Sequence, residues 1–142
     1  MILIDTNVIS ELMRPKPAPQ VLAWFGSKDA SALYLSAVGE TELRRGAMIL
    51  PEGRRRDGLL SEIDAMIMED FAGRVLPFDS AAAVAFAGIF VDRNKAGRPI
   101  SFPDCQIAAT ARAHGAAVAT RNVAAEGCGV KLVDAWTQPG GT

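Results

Sequence analysis

Short apolar runs alternate along the chain with longer segments in which apolar residues recur at helical spacing. The opening run, Met1–Ile4, contains no polar residue, which is typical of a strand buried on both faces of a parallel sheet. Four later runs of similar length predict further strands. The predicted strands are Met1–Ile4, Leu33–Ser36, Val75–Phe78, Ala117–Thr120 and Val130–Val133.

The segments between these strands carry helical patterns and helix boundaries. Leu59 and Ile67 lie on one apolar helical face, and Pro103 and Gly115 mark the start and the end of another helix. The segment Ala81–Asn94 is apolar almost all round, so we expect it to be buried. The predicted helices are Pro19–Phe25, Val38–Leu50, a segment around Leu59–Ile67, Ala81–Asn94 and Pro103–His114.

Strands that are separated by helices along the whole chain predict βαβ units. The expected fold is therefore α/β, with a central parallel sheet and helices on both faces. Asp5–Asn7 is interpreted as loop and cap residues, and Glu52–Gly58 as a charged turn. No repeat or linker divides the 142 residues, so we predict one domain over residues 1–136 and a flexible tail over residues 137–142.

Neither a secretory leader nor a membrane span is predicted. The chain opens with MILID, which lacks the basic start of a leader. The longest mostly apolar stretch, Ala81–Val91, is shorter than the roughly 20 residues that span a bilayer. We therefore expect a cytoplasmic protein without a membrane partner.

The charges exclude several classes of chemistry. Lys and Arg number 15 and Asp and Glu number 16, so the net charge of −1 does not indicate a protein that coats nucleic acid. The single histidine excludes a two-histidine mechanism, and two cysteines are too few for a disulfide scaffold or a four-thiolate zinc site. Carboxyl groups are the abundant reactive side chains that remain.

Three carboxyl groups lie where a parallel sheet collects ligands or on inward-facing helix positions. Asp5 directly follows the first strand, at the carboxyl end where ligands gather. Asp104 lies in the first turn of a helix and continues its apolar stripe, and Glu42 shares a face with Val38 and Ile49 that we interpret as inward-facing. The alternatives are a turn role for Asp5 and a simple helix-dipole role for Asp104.

Other charged residues are interpreted as surface groups. Glu40 precedes Arg44 by four residues, which predicts an exposed ion pair. The run Arg54–Arg56 favours a solvated turn, with phosphate contact as the alternative. Arg93 belongs to a second local basic cluster, with Lys95 and Arg98.

Three acids that meet at one end of a sheet would repel one another unless a divalent cation lay between them. Mg²⁺ and Mn²⁺ prefer carboxylate oxygen, water and phosphate oxygen as ligands. Such a site suits phosphodiester hydrolysis, because the metal activates water and stabilises charge on the phosphate without any histidine. The spacing of the acids makes this site possible but does not by itself establish it.

Five segments in this order resemble the PIN-domain ribonucleases, in particular the VapC-type toxins of bacterial toxin–antitoxin pairs and their FitB-like branch. The resemblance extends from Met1 to about Trp136, and its strength lies in the ordered set rather than in any single piece. The matching segments are LIDTNVISEL, LSAVGETELRRG, LPFD, DCQIAATARAHG and VATRN.

The resemblance implies an α/β/α sandwich, a Mg²⁺ or Mn²⁺ cofactor, and cleavage of RNA by metal-activated water. The family's metal-binding acids fall on Asp5, Glu42 and Asp104. Asp5 and Asp104 would be the main metal ligands, and Glu42 would complete the catalytic site directly or through water. Thr6 and Asn7 would support Asp5 by hydrogen bonds.

One position departs from the pattern of many relatives. Where they carry a fourth acid after the TR dipeptide, this chain has Asn122, which can hold a water or a metal-bound ligand but adds no charge. A second metal is therefore in doubt, and Glu126 is the alternative source of a fourth carboxyl group. Arg121, beside the predicted site, is a candidate phosphate contact.

The resemblance also implies partners: an RNA substrate, a cognate antitoxin, a homodimer that joins larger toxin–antitoxin assemblies, and operator DNA bound only through the antitoxin. Two other functions remain open. Asn122 motivates a binding module with weak or no catalysis. A receiver-like phosphorylation domain also has acids at strand ends, but here Thr6 replaces the expected second acid and no lysine follows Thr120 directly.

Overall fold

The computed structural model describes residues 1–137 and contains a five-stranded sheet in which every pairing is parallel. All five predicted strands are confirmed, and β3 and β5 are each two residues shorter than predicted. The strands are β1 (Ile2–Ile4), β2 (Leu33–Ser36), β3 (Val75–Leu76), β4 (Ala117–Ala119) and β5 (Leu132–Val133). Their order across the sheet is β3-β2-β1-β4-β5.

Six α-helices connect the strands within residues 1–137. They are α1 (Thr6–Leu12), α2 (Pro19–Gly26), α3 (Ala37–Met48), α4 (Arg54–Ala65), α5 (Ser80–Lys95) and α6 (Phe102–His114). A π-helical turn, Met66–Asp70, continues α4. In this part of the chain no helix is both long and apolar enough to cross a membrane.

The predicted cap at Asp5 is confirmed, but the rest of the segments Asp5–Asn7 and Glu52–Gly58, predicted as loop and turn, contains the starts of two helices. Asp5 accepts a hydrogen bond from the Thr6 amide and so begins α1, a seven-residue helix too short for a clear periodic pattern. The charged segment Glu52–Gly58 contains the start of α4, which begins directly after Gly53. Gly53 has a φ of 148°, a conformation that glycine adopts without a steric penalty.

Both faces of the sheet are covered, which confirms the α/β/α sandwich. Leu3 and Val118 point to one face and pack with Ile107 of α6. Ile4 and Ala119, the next residues along each strand, point to the other face, where α1–α4 contribute to the core. This alternation follows from the two-residue period of a strand, and burial on both sides explains the absence of polar residues in β1.

The expectation that the Ala81–Asn94 segment is buried all round is wrong. α5 packs on α6 through one stripe that includes Ile89, but Val84 is 75% exposed and Val91 is also exposed. A helix in an outer layer buries only the face that meets its neighbour, and apolar composition alone does not distinguish that layer from an interior one.

The sheet places a crevice beside its central strand. β1 pairs with β2 on one side and with β4 on the other, so the strand order reverses between β1 and β4. In open α/β sheets ligands bind outside the carboxyl ends of the strands at such a reversal. Asp5 and Thr120 directly follow these two strands, and the Asp5 amide donates to the Ala119 carbonyl oxygen at 2.9 Å.

The predicted domain boundary and tail remain predictions. Apart from Thr137, the predicted tail at residues 137–142 lies outside the described residues.

Candidate metal centre

Asp5 lies at the carboxyl end of β1 and is 8% exposed. Its Oδ1 accepts from the Thr6 amide at 2.8 Å, and its Oδ2 accepts from the Thr120 hydroxyl at 2.8 Å. Burial raises the pKa of the Asp5 carboxyl group and the charge of Asp104 adds to the rise, whereas the bonds from Thr120 and Thr6 lower it. The net direction is upward, so folding holds this carboxylate in an environment that disfavours its charge.

Thr120 joins three parts of this site through one hydroxyl group. It donates to Asp5 and accepts from Asn7 Nδ2 at 2.8 Å and from the Asn122 amide at 2.9 Å. Asn7 Nδ2 also lies 3.4 Å from Asp5 Oδ2, and Asn7 Oδ1 accepts from the Arg121 amide at 3.4 Å. The structure thus places Thr6 and Asn7 beside Asp5 as expected, and adds Thr120, which the sequence reasoning did not single out.

Asp104 lies in the first turn of α6. Ser101 caps this helix, and its Oγ accepts from the Asp104 amide at 3.3 Å. Asp104 is half-buried, and the predicted stripe below it is confirmed because Ile107 and Ala108 are buried. Asp104 and Asp5 line the same small cavity of about 10 Å³, roughly the size needed for one water molecule.

Glu42 approaches from α3, which is held close to α1. A Cβ atom at Gly39 would lie 3.2 Å from Ser36 Oγ and 3.6 Å from Thr6 Cγ2, so a glycine suits this close approach. Glu42 is half-buried, and within residues 1–137 its buried Oε1 has no hydrogen-bond partner. The inward-facing role predicted for Ile49 is wrong, since α3 ends at Met48 and Ile49 is 71% exposed.

The carboxyl groups of Asp5 and Glu42 both have a raised pKa, and the charge of Asp104 contributes to both shifts. Burial raises the pKa of Glu42, and the charges of Asp5 and then Asp104 raise it further, against a lowering by Arg45. Within residues 1–137, however, no three metal-ligating side chains are grouped closely enough to hold one ion together. Asp5 and Asp104 share the cavity, whereas Glu42 lines an adjoining groove of about 520 Å³ with Thr6.

This donor set fits a hard divalent cation. Two carboxyl groups face one cavity of the size of a single small ligand, and a third carboxyl group presents an oxygen without a partner beside it. Mg²⁺ in proteins commonly takes one or two carboxylates directly and reaches other groups through water. Asp5 and Asp104 match that pattern, and Glu42 lies in the adjoining groove.

Asn122 lines the cavity with the two aspartates, so the position that departs from the family pattern does belong to this site. Its Oδ1 accepts from the Ala124 amide at 2.9 Å, which leaves the side-chain NH₂ group for other contacts. Glu126 is exposed and does not line this cavity, so the geometry does not favour it as a substitute carboxyl group.

The basic residues separate into buried and exposed groups. Arg93 is 8% exposed and donates to the carbonyl oxygens of Arg98 at 2.7 Å and Ala124 at 2.6 Å, so it is not available to the basic cluster predicted with Lys95 and Arg98. Arg121 is exposed, and its guanidinium lies 4.0 Å from the centre of the Trp136 ring. The Glu40–Arg44 ion pair is confirmed at 2.8 Å, with Arg44 also bound to Asp64.

Comparisons with known proteins agree with the fold. The family described as PIN domain matches residues 2–126. VapC ribonuclease Y4jK of Sinorhizobium fredii (strain NBRC 101917 / NGR234) is 41% identical over 137 residues, which cover 96% of this chain and 98% of that protein. Toxin FitB of Neisseria gonorrhoeae (strain ATCC 700825 / FA 1090) is 43% identical over 122 residues, which cover 86% and 88% of the two chains.

A solved structure of FitAB bound to an IR36 DNA fragment is 39% identical, covers 97% of each chain and superposes with a TM-score of 0.89. The chain therefore belongs to the PIN-domain family. The resemblance to VapC-type toxins of the FitB-like branch is confirmed, and the receiver-like alternative is set aside.

Proposed function

We propose that this protein is a Mg²⁺- or Mn²⁺-dependent endoribonuclease that acts in the cytoplasm as the toxin of a VapBC-type toxin–antitoxin pair. The observation that carries the proposal is the set of Asp5, Asp104 and Glu42 at the sheet's strand-order reversal. The carboxyl groups are buried or half-buried, burial and the charge of Asp104 raise the pKa of Asp5 and of Glu42, and one oxygen of Glu42 has no partner among the described residues. The similarity to a protein named VapC ribonuclease supports RNA as the substrate.

Each side chain has a distinct proposed role. Asp5 and Asp104 would hold the metal ion, which supplies an activated water and stabilises charge on the scissile phosphate. Glu42 would complete the site through water and orient the attacking nucleophile. Thr120 and Thr6 fix the direction of the Asp5 carboxylate by hydrogen bonds at 2.8 Å, and Arg121 would contact a phosphate of the substrate.

Cleavage of a labelled RNA by purified protein tests the proposal. We expect cleavage with Mg²⁺ or Mn²⁺, loss of cleavage in excess EDTA, and loss in Asp5→Ala and Asp104→Ala. Asp92→Asn, which alters an exposed acid on α5, is the matched control and should cleave like the wild type. Equal cleavage by Asp5→Ala, or by the wild type in EDTA, would refute the proposed mechanism.

We further propose that an antitoxin covers the metal centre. The groove of about 520 Å³ that contains Thr6 and Glu42 continues over apolar residues of α3 and α4 and of the segment after α1, among them Leu43, Leu59 and Met13. A small partner with an apolar segment and a basic side chain fits this lining, because the carboxyl group of Glu42 in the groove attracts a cation. Operator DNA would then be bound through the antitoxin, in keeping with the relative solved as FitAB with DNA.

Expression with and without a candidate antitoxin, taken from a short reading frame beside that of this chain, tests the partner. Growth should stop when the toxin is expressed alone and recover when both are expressed, and the two proteins should copurify. A neighbouring protein that neither binds nor restores growth would contradict the pairing.

Homodimerisation is also proposed, and the outer face of α5 supports it. Val84 and Val91 are seven residues apart on one helical face, and the small residues Ala87 and Gly88 lie exposed between them. Small residues permit close approach of a second helix, and two copies of this stripe can pack on each other. Sedimentation of the wild type should give a dimer that Val84→Glu converts to a monomer; an unchanged mass would contradict this interface.

The second candidate function is a binding module with little catalysis, favoured by the amide of Asn122 where many relatives carry an acid. It predicts a wild-type protein that copurifies with its partner but neither cleaves RNA nor stops growth. Asn122→Asp would then be expected to restore activity.

A further inference from the structure

The side chain of Arg121 is placed by an aromatic ring rather than by a carboxylate. Its guanidinium carbon lies 4.0 Å from the centre of the Trp136 ring, within the range of a cation–π contact. Glu126 and Asp134 line the same groove as Arg121, but in the described part of the chain neither forms an ion pair with it. A cation–π contact uses none of the guanidinium N–H groups in a hydrogen bond to oxygen, so these donors remain available to a ligand.

The backbone of Arg121 is tied to the metal centre. Its amide donates to Asn7 Oδ1 at 3.4 Å. The residue before it, Thr120, donates to Asp5, and the residue after it, Asn122, lines the cavity of the two aspartates. The backbone position of Arg121 is therefore fixed beside the candidate metal site, while its long, exposed side chain has many rotamers and needs a separate contact to select one.

Trp136 is suited to make that selection because it is itself held in place. It is half-buried and packs against the hydrophobic core on the α1–α4 side of the sheet, next to the fully buried Ala135. Its amide donates to Asp134 Oδ1 at 2.9 Å, which fixes the turn after β5. A ring anchored in this way presents a constant face to the guanidinium.

We propose that Trp136 is a positioning residue that holds the Arg121 guanidinium ready to bind one backbone phosphate of the RNA substrate. This inference rests on the proposed ribonuclease function and assigns to Trp136 a role that the metal centre itself does not require. The fixed guanidinium offers planar donors that match the oxygen atoms of a phosphate. Loss of the ring face would leave Arg121 charged but mobile, so phosphate binding would weaken without a change in net charge.

The salt dependence of RNA binding is the measurement that tests this role, because a purely structural role of Trp136 would not change it. Each phosphate contact on single-stranded nucleic acid contributes about 0.7 to the slope of log K against log salt concentration. Binding of a fluorescein-labelled single-stranded RNA is measured by anisotropy in EDTA over a series of KCl concentrations. Cleavage of the same RNA is measured in Mg²⁺ to give kcat and KM separately.

The variants are Arg121→Gln, Trp136→Phe, Trp136→Leu and the double variant Arg121→Gln/Trp136→Leu. Phenylalanine and leucine both fill the apolar site, but only phenylalanine keeps an aromatic face. We expect Arg121→Gln to reduce the slope of log K against log salt concentration by about 0.7. Trp136→Leu should reduce this slope by most of that amount, and Trp136→Phe should leave it at the wild-type value. Trp136→Leu should raise KM severalfold with kcat nearly unchanged, and the double variant should be no worse than Arg121→Gln.

The outcomes separate this inference from the proposed function. Equal slopes for Trp136→Leu and Trp136→Phe, or fully additive losses in the double variant, would overturn the positioning role while wild-type cleavage continued. A wild type that binds RNA but does not cleave would contradict the proposed enzyme, and the binding slopes would still decide the role of Trp136. A wild type that does not bind RNA would overturn both.

Discussion

Replacement of Glu42 by glutamine should stabilise the metal-free protein while it impairs the enzyme. Glu42 Oε1 is buried without a hydrogen-bond partner in the described residues, and Asp5 and Asp104 raise its pKa from nearby. Glutamine has nearly the same shape and no charge, so it removes this repulsion without leaving a cavity. The perturbation therefore separates the cost of the charge from the packing of the side chain.

The expected gain in the free energy of unfolding is about 1 kcal/mol at neutral pH without metal. A buried polar group without a partner costs about 1–3 kcal/mol and a charged one costs more; glutamine removes only the part that is due to the charge, and Glu42 is half-buried, so a gain at the low end is expected. In a domain of this size that gain corresponds to a rise in Tm of about 4 °C. Comparable gains are common when a functional site gives up an unfavourable charge.

The gain should depend on pH in a defined direction. Because folding raises the pKa of Glu42, the folded protein binds this proton more tightly than the unfolded chain does. The resulting stabilisation of the wild type is fully present below the unfolded pKa of about 4.3 and is lost as the pH rises through the folded pKa. Glutamine does not titrate, so the advantage of the variant should be smaller at pH 5 than at pH 7.5.

Urea unfolding of the wild type and Glu42→Gln in EDTA, at pH 5 and at pH 7.5, measures the difference in the free energy of unfolding. A second set of measurements is made in Mg²⁺. At a Mg²⁺ concentration of a hundred times its Kd the wild type should gain about 2.7 kcal/mol, and the variant should gain less. Glu40→Gln on the same helix is the matched control: it removes a 2.8 Å ion pair with Arg44, worth about 0–1 kcal/mol, and should not stabilise. The reasoning is refuted if Glu42→Gln is no more stable than Glu40→Gln at pH 7.5, or if its advantage does not change with pH.

Three further changes test other contacts of the site. Thr120→Val removes the hydroxyl that orients Asp5 and should weaken Mg²⁺ affinity about 10–100-fold by calorimetric titration, whereas Thr120→Ser should retain it. Asn122→Asp adds a carboxyl group to the cavity and should tighten Mn²⁺ binding while it lowers the Tm in EDTA; a Tm in EDTA that did not fall would show that the cavity tolerates the charge. Arg93→Ala removes the buried charged side chain that donates to the carbonyl oxygens of Arg98 and Ala124, and should cost about 3 kcal/mol in urea unfolding; a loss below 1 kcal/mol would contradict that assignment.

The architecture was predictable because it depends on local patterns that repeat. The apolar runs place all five strands, and Pro103 and Gly115 bound α6 to within a residue. Parallel topology follows where helices separate successive strands, as they do from β1 to β4. The exposed face of α5 was not predictable, because apolar composition does not show on which sides a helix is covered by other elements.

The acids of the candidate site could be predicted from the sequence, but the residues that orient the groups of the site could not. Asp5 could be identified from the sequence because a carboxyl group at the end of a buried strand is costly unless a hydrogen bond or a cation satisfies it. Thr120 and Trp136 carry no such signal: a threonine at a strand end and a tryptophan after the last strand are ordinary in sequence. Only the pairing of β4 with β1 brings Thr120 within 2.8 Å of Asp5, and only the turn after β5 brings Trp136 under Arg121.

The net charge of −1 conceals a separation of charge that the fold creates. Among residues 1–137 no ion pair involves Asp5, Glu42 or Asp104. The buried Arg93 is bound to carbonyl oxygens, and Arg121 lies on an indole ring. Since the fold does not pair these acids with its own cations, their charge remains available to an external cation, so metal binding should stabilise the fold and assemble the site together.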